Sequence, residues 1–218
     1  MPNWCYNTLV VRGKDKKTID NFVSTVNAHP QHWKPSEMEL QFNDLPDPTY
    51  KEKLAFCATV PLPPEAETET YSKFGYDWQI KHWGTKWGAC EVSVHREEKH
   101  PDEVVYSFET AWSPPEEWVR ATAEKYPDLR FSLYYTEEAN SYAGHQQWQG
   151  SKRISMRDFN HSDLWDFVQS NLDEDEQKEY KNLEEDESWE FLDEIKLEKL
   201  HLHAWKKAHD NEAWEDLN

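Results

Sequence analysis

All 12 prolines and all 6 glycines of this 218-residue chain lie before Ser151, and the residues that follow contain none. Proline interrupts both helix and sheet hydrogen bonding, and glycine permits turns that other residues resist, so the first part of the chain must reverse direction often. The remainder is free to run as helix. Charge divides at nearly the same place: residues 158–218 hold 20 Asp and Glu against 6 Lys, a net of −14, which is most of the −19 of the whole chain. Together these expect a compact mixed α+β domain over residues 1–150 and an acidic α-helical region over 151–218.

The order of elements decides which α+β fold is meant. Asn7 to Arg12 is rich in β-formers and ends at Gly13. Asp15 can cap a helix whose Ile19, Phe22, Val23 and Val26 form one apolar stripe. The prolines at 30, 35, 46, 48, 61, 63 and 64 mark an insertion at about 29–88, with room for a short strand near Leu54 to Val60 and a short helix and turn from Tyr76 to Trp87. Glu91 to His95 then reads as a strand. In Val104 to Trp112 the alternation places Val104, Tyr106, Phe108, Thr110 and Trp112 on one face. Ser113, two prolines and Glu116 spell a helix start, with Ser113 as the capping hydroxyl. Arg130 to Thr136 and Tyr142 to Trp148 read as further strands. Without the insertion the order is strand, helix, strand, strand, helix, strand, the split βαβ antiparallel sheet of ferredoxin-like folds.

Four stretches are distinctive as they stand: Met1-Pro2-Asn3-Trp4-Cys5-Tyr6-Asn7, Trp83-Gly84-Thr85-Lys86-Trp87-Gly88, Phe108-Glu109-Thr110-Ala111-Trp112-Ser113-Pro114-Pro115 and Tyr142-Ala143-Gly144. Together they resemble the YubB-type ferredoxin-like domain family of phage- and plasmid-encoded proteins, over about residues 1–150. The resemblance implies a mobile-element setting in a bacterial host cell and brings no catalytic residues; the unpaired spacing of the cysteines adds the expectation of a cytoplasmic protein. The acidic region lies outside it.

Candidate chemistry starts with the Trp83 to Gly88 loop. Two glycines expose backbone amides, and Thr85 and Lys86 stand between the indoles of Trp83 and Trp87, so a small ligand or nucleotide could bind there. The plainer reading is that the tryptophans pack and Lys86 extends to solvent. The phosphate-loop spacing is absent, and no nucleophile elbow, zinc-binding His-Glu-x-x-His or dinucleotide fingerprint occurs. Catalytic residues, metal ligands and cofactors are therefore not assigned. Cys5, Cys57 and Cys90 are too far apart in sequence for a zinc knuckle and read as reduced core thiols. An enzyme acting on a nucleic-acid-derived messenger stays open as an alternative, but it needs a carboxylate or histidine cluster that sequence alone does not select.

The acidic region supports the leading expectation. Residues 173–198 hold 13 Asp and Glu and 3 Lys; as one helix they would extend about 39 Å at a rise of about 1.5 Å per residue. One net charge would then fall every ~4 Å, near the ~3.4 Å repeat of a single DNA strand. Such a DNA-mimic surface suits a host protein with a basic, nucleic-acid-handling surface, as in counter-defence, whereas direct binding of nucleic acid or membrane is disfavoured by the same charge. Glu184, Glu185, Asp186, Glu187, Glu190, Asp193 and Glu194 are the residues expected to carry that charge, with Trp189 as an aromatic anchor. Solvation of an ordinary helix face is the alternative use of such residues.

Overall fold

The computed structural model describes residues 3–42, 49, 51–137, 142–184, 187, 188, 190–192, 194–196 and 199. Strand β1 (Trp4–Arg12) buries Cys5, Leu9 and Val11 on one face. Helix α1 (Lys16–Val26) follows, capped by Asp15, whose Oδ1 accepts the Thr18 N–H at 2.8 Å. Its Ile19, Phe22 and Val26 pack onto that face.

The insertion between α1 and the next strand is helical. It contains α2 (Glu37–Phe42), α3 (Phe56–Thr59), a 3₁₀ turn at Pro64–Glu67, and a wide turn at Tyr71–Gly75 that leads into α4 (Tyr76–Trp83). The strand expected near Leu54 to Val60 is thus α3. Leu54, Ala55, Phe56 and Cys57 are all buried, and a short, wholly buried apolar run carries no period that separates strand from helix. Phe56 stacks on Trp118 with ring centroids 4.3 Å apart, and Trp118 Nε1 donates to the Phe56 carbonyl at 3.0 Å.

Strands β2 (Cys90–His95), β3 (Glu103–Ala111) and β4 (Arg130–Glu137), with helix α5 (Glu116–Lys125) between the last two, complete the ferredoxin-like unit. Two more strands, β5 (Tyr142–Gln149) and β6 (Lys152–Asn160), extend it beyond β4. The sheet is antiparallel in the order β2-β3-β1-β4-β5-β6. Residues 152–160, placed by composition in the helical region, are therefore a strand. Ala143 and Phe159 supply its reason: both are buried on the second face of the sheet and pair with each other.

Two local expectations are corrected at the β3 to α5 connection. Trp112 leaves the core row: the strand ends at Ala111, the backbone of Trp112 turns left-handed at φ +74°, and its side chain is 48% exposed. Ser113 does not cap α5; its Oγ donates to the Gly84 carbonyl at 2.6 Å, and Pro115 occupies the cap position.

The helical tail docks on the sheet. Helix α6 (His161–Ser170) is capped by Asn160 and buries Leu164, Trp165, Phe167 and Val168 in a cluster with Ala143 and Phe159. Tyr6 pairs with Thr136, and Thr136 with Ala143, so these residues share the face opposite Cys5 and Leu9. The sheet is thus covered by α1 and α5 on one face, and at its β5–β6 end by α6 on the other. Helix α7 (Glu174–Tyr180) ends in a turn at residues 181–183 before the next helical residues, so the acidic segment is not the continuous 26-residue rod expected.

Candidate functional site

The four distinctive stretches meet at one end of the sheet. Trp112 is held from two sides: its N–H donates to the Asn3 carbonyl at 3.0 Å, and its carbonyl accepts from Tyr142 Oη at 2.6 Å. Ser113 reaches Gly84, Thr85 Oγ1 donates to the Ala111 carbonyl at 3.0 Å, and the Trp4 and Trp87 rings lie 6.3 Å apart. Gly84 itself is the left-handed end of α4 at φ +83°, a conformation that favours glycine. Much of what is distinctive in these stretches therefore holds the connection between α4, β1, β3 and α5.

This placement divides the loop residues singled out from sequence. Trp83 is buried, with Nε1 donating to the Val60 carbonyl at 3.0 Å. Thr85 is fully buried and its hydroxyl is committed to Ala111. Lys86 Nζ lies 4.7 Å from the centre of the Trp87 ring. Trp83 and Trp87 also line a cavity of about 470 Å³; Thr85 and Lys86 do not.

Earlier segments of the insertion supply the rest of that cavity. Trp33, Phe56 and Tyr71 complete its aromatic walls, and Glu52, Cys57 and Gln79 contribute polar groups. Two isolated bridges, Ala28 with Glu52 and Lys34 with Thr70, bring these distant segments together. Burial pushes the Glu52 carboxyl up to about 7 and the Tyr71 hydroxyl up to about 12. It also raises the Cys57 thiol, which accepts from the Gln31 N–H at 3.3 Å. A neutral thiol in this setting is a packing group rather than a nucleophile. Sequence reasoning missed Trp33, Glu52 and Gln79 because no local pattern marks residues that only chain closure assembles.

One carboxylate pair is selected by the fold. Tyr135 Oη lies 2.9 Å from Glu116 Oε1 and 2.5 Å from Asp158 Oδ1. A single hydroxyl proton cannot serve two acceptors fully. Burial foremost, and Asp158 in addition, raises the Glu116 carboxyl, while the Tyr135 hydrogen bond lowers it.

In the acidic region, Glu184, Glu187, Glu190 and Glu194 are all exposed. Leu192, Lys196 and Lys199 are buried, and Leu192 belongs to the cluster that covers Ala143 and Phe159. Lys199 Nζ pairs with Glu176 Oε2 at 2.5 Å, the two side chains being 2% and 17% exposed. Asp173 and Glu176 form a reciprocal capping box at the start of α7. Glu185, Asp186, Trp189 and Asp193 lie outside the described residues. Among the described residues no group of three or more His, Cys, Asp or Glu is placed to hold a metal ion, and no helix is long and apolar enough to cross a membrane.

One family model agrees with the fold. Residues 83–183 match the family model of the ferredoxin-like domain in Api92-like protein. The matched stretch runs from the last residue of α4 past the end of α7, so it takes in β2 to β6 and part of the acidic region. A crystal structure of a protein api92 from Yersinia pseudotuberculosis is similar at 10% sequence identity and a TM-score of 0.46, covering 73% of this chain and 99% of the other. No curated protein matches the sequence. The family model and the order of elements both give the ferredoxin-like domain.

Proposed function

We propose that the protein is a non-enzymatic binding protein whose acidic helical face engages a basic, nucleic-acid-handling protein. The observation that carries this reading is the segregation of charge in the tail. Glu187, Glu190 and Glu194 follow helical spacing and face solvent, while Leu192, Lys196 and Lys199 are buried. Carboxylates held on a docked helix form an anionic row whose position relative to the sheet is set, which favours steered association with a cationic groove. In the mobile-element setting implied by the YubB-type resemblance, the partner is a host defence factor and the effect is occlusion of its basic surface.

The test is a pull-down from bacterial lysate at low and high salt with two baits, the native chain and one carrying Glu184→Lys, Glu187→Lys, Glu190→Lys and Glu194→Lys. The expected result is a partner retained by the native bait at low salt, released at high salt and lost with the reversed bait. A partner captured equally by both baits, or no partner with a basic surface, overturns the reading.

A further inference from the structure

The cavity within the insertion, walled on one side by α4, supports an inference separate from the acidic face. Its volume of about 470 Å³ falls within the range of small-molecule sites, and its lining combines aromatic side chains with polar ones, among them Gln31, His32, Glu52 and Gln79. Gln79, on α4, lines it and is only 7% exposed, and its Oε1 has no hydrogen-bond partner among the described residues. A buried amide oxygen left unpaired is costly, and its presence in a cavity wall points to a ligand group that completes it. The terminal amide torsion is soft, so the acceptor can turn toward the cavity without moving the helix.

The remaining groups narrow the ligand. Trp87, which is partly exposed, and the buried Trp83 and Phe56 give the wall an aromatic lining that suits a planar heterocycle. The Glu52 carboxyl, in the same wall, suits an N–H donor, in the way carboxylates accept from an exocyclic amine of a base. The amide of Gln79 presents an adjacent donor and acceptor, which matches the edge of an amino-substituted base. Phosphate is disfavoured: Lys34 is the lysine in the lining and is exposed, and the chain carries a net charge of −19.

We propose that this cavity binds an amino-substituted nucleobase as its free nucleoside, the base lying among the indoles and its amino edge meeting Glu52 and Gln79. The experiment is calorimetric titration of the full chain with guanosine, adenosine, cytidine and uridine, with the 5′-monophosphates of the three amino-bearing nucleosides and with a single-stranded DNA 12-mer. At least one of the three amino-bearing nucleosides is expected to bind at least tenfold more tightly than uridine and than its phosphorylated form. Glu52→Gln and Gln79→Leu, each checked for native circular dichroism, are each expected to weaken that binding tenfold or more. Binding that survives both variants, absence of binding by all three amino-bearing nucleosides at millimolar concentration, or a preference for the monophosphate or the DNA strand overturns the proposal. The charge-reversed tail variant is expected to bind the nucleoside as the native chain does, so the outcome here is independent of the acidic face.

Discussion

A Cβ on Gly144 would stand 2.7 Å from the hydroxyl oxygen of Tyr135. The same atom would lie 2.7 Å from the Arg157 carbonyl oxygen, on the neighbouring strand, and 2.8 Å from Asp158 Oδ1. Gly144 is the last residue of the Tyr-Ala-Gly stretch, and the close approach explains why no side chain fits there. The absent side chain is what lets Tyr135 cross over β5 to reach β6.

Gly144→Ala is accordingly expected to destabilise the protein by about 1–3 kcal/mol, the usual cost of overpacking a close-fitting site. Backbone on β6 cannot yield as a flexible side chain would. Urea unfolding followed by circular dichroism measures this, and an unchanged midpoint would show that β6 shifts freely.

Tyr135→Phe removes the hydroxyl between Glu116 and Asp158. Because the folded Glu116 carboxyl is raised above its ordinary value, its favourable protonated form is fully present below pH about 4.5 and is lost as pH rises through the folded value. The tyrosine hydroxyl eases that loss by donating to the ionised form. The variant is therefore expected to lose about 1 kcal/mol at pH 4 and about 2 kcal/mol at pH 8, since hydrogen bonds to charged groups are the stronger. Equal losses at both pH values would place the ionisation elsewhere.

Glu52 has the same sign for a simpler reason. Burial raises its carboxyl to about 7, so between about pH 4.5 and 7 the folded state holds a proton that the unfolded state has released, and stability falls as pH rises. Glu52→Gln is expected to flatten that fall and to gain about 1–2 kcal/mol at pH 8, a figure that allows for solvent screening of a half-buried group. Thermal melts across pH 4–8 test it; parallel profiles for variant and native protein would refute the assignment.

Lys199 joins the last helical residues to α7 through Glu176. Removing one partner of a buried pair leaves the other charge uncompensated. Since Glu176 keeps some exposure, Lys199→Met is expected to cost about 2 kcal/mol and to loosen α7 before the sheet. Hydrogen exchange separates the two: faster exchange confined to α6 and α7 is the expected pattern, and uniform acceleration across β1 to β4 is contrary to it.

Much of the sheet domain is legible in the sequence because its signals are local. The alternation in β3 and the stripe Ile19, Phe22, Val26 each need only the nearest turns of chain to be read. Where locality ends, the reading fails in identifiable ways. Residues 54–57 are buried on all sides, so their pattern is silent about helix or strand. Ser113 resembles a cap in sequence, yet its hydroxyl answers to Gly84, which is 29 residues away. Lys152 to Asn160 shares the tail's lack of glycine and proline and becomes a strand because β5 offers it an edge.

The sites follow the same division. Exposure of the glutamates was foreseeable from charge alone, since isolated carboxylates are strongly hydrated and an acidic helix turns them outward. That the opposite side of this helix would close over Ala143 and Phe159 depended on the sheet first acquiring two extra strands. Gln79, Glu52 and Trp33 are 27 and 19 residues apart in successive pairs when taken in order from the α4 side, and nothing near any of them in the chain announces the others. What the sequence determined by itself was the order of elements in the ferredoxin-like unit outside the insertion and the sign of the surface, because turn chemistry, side-chain periodicity and charge act over a few residues. Which side chains share a cavity, which glycine must stay bare and which face receives the tail were decided only when distant segments packed, because those contacts form between residues that the linear order keeps apart.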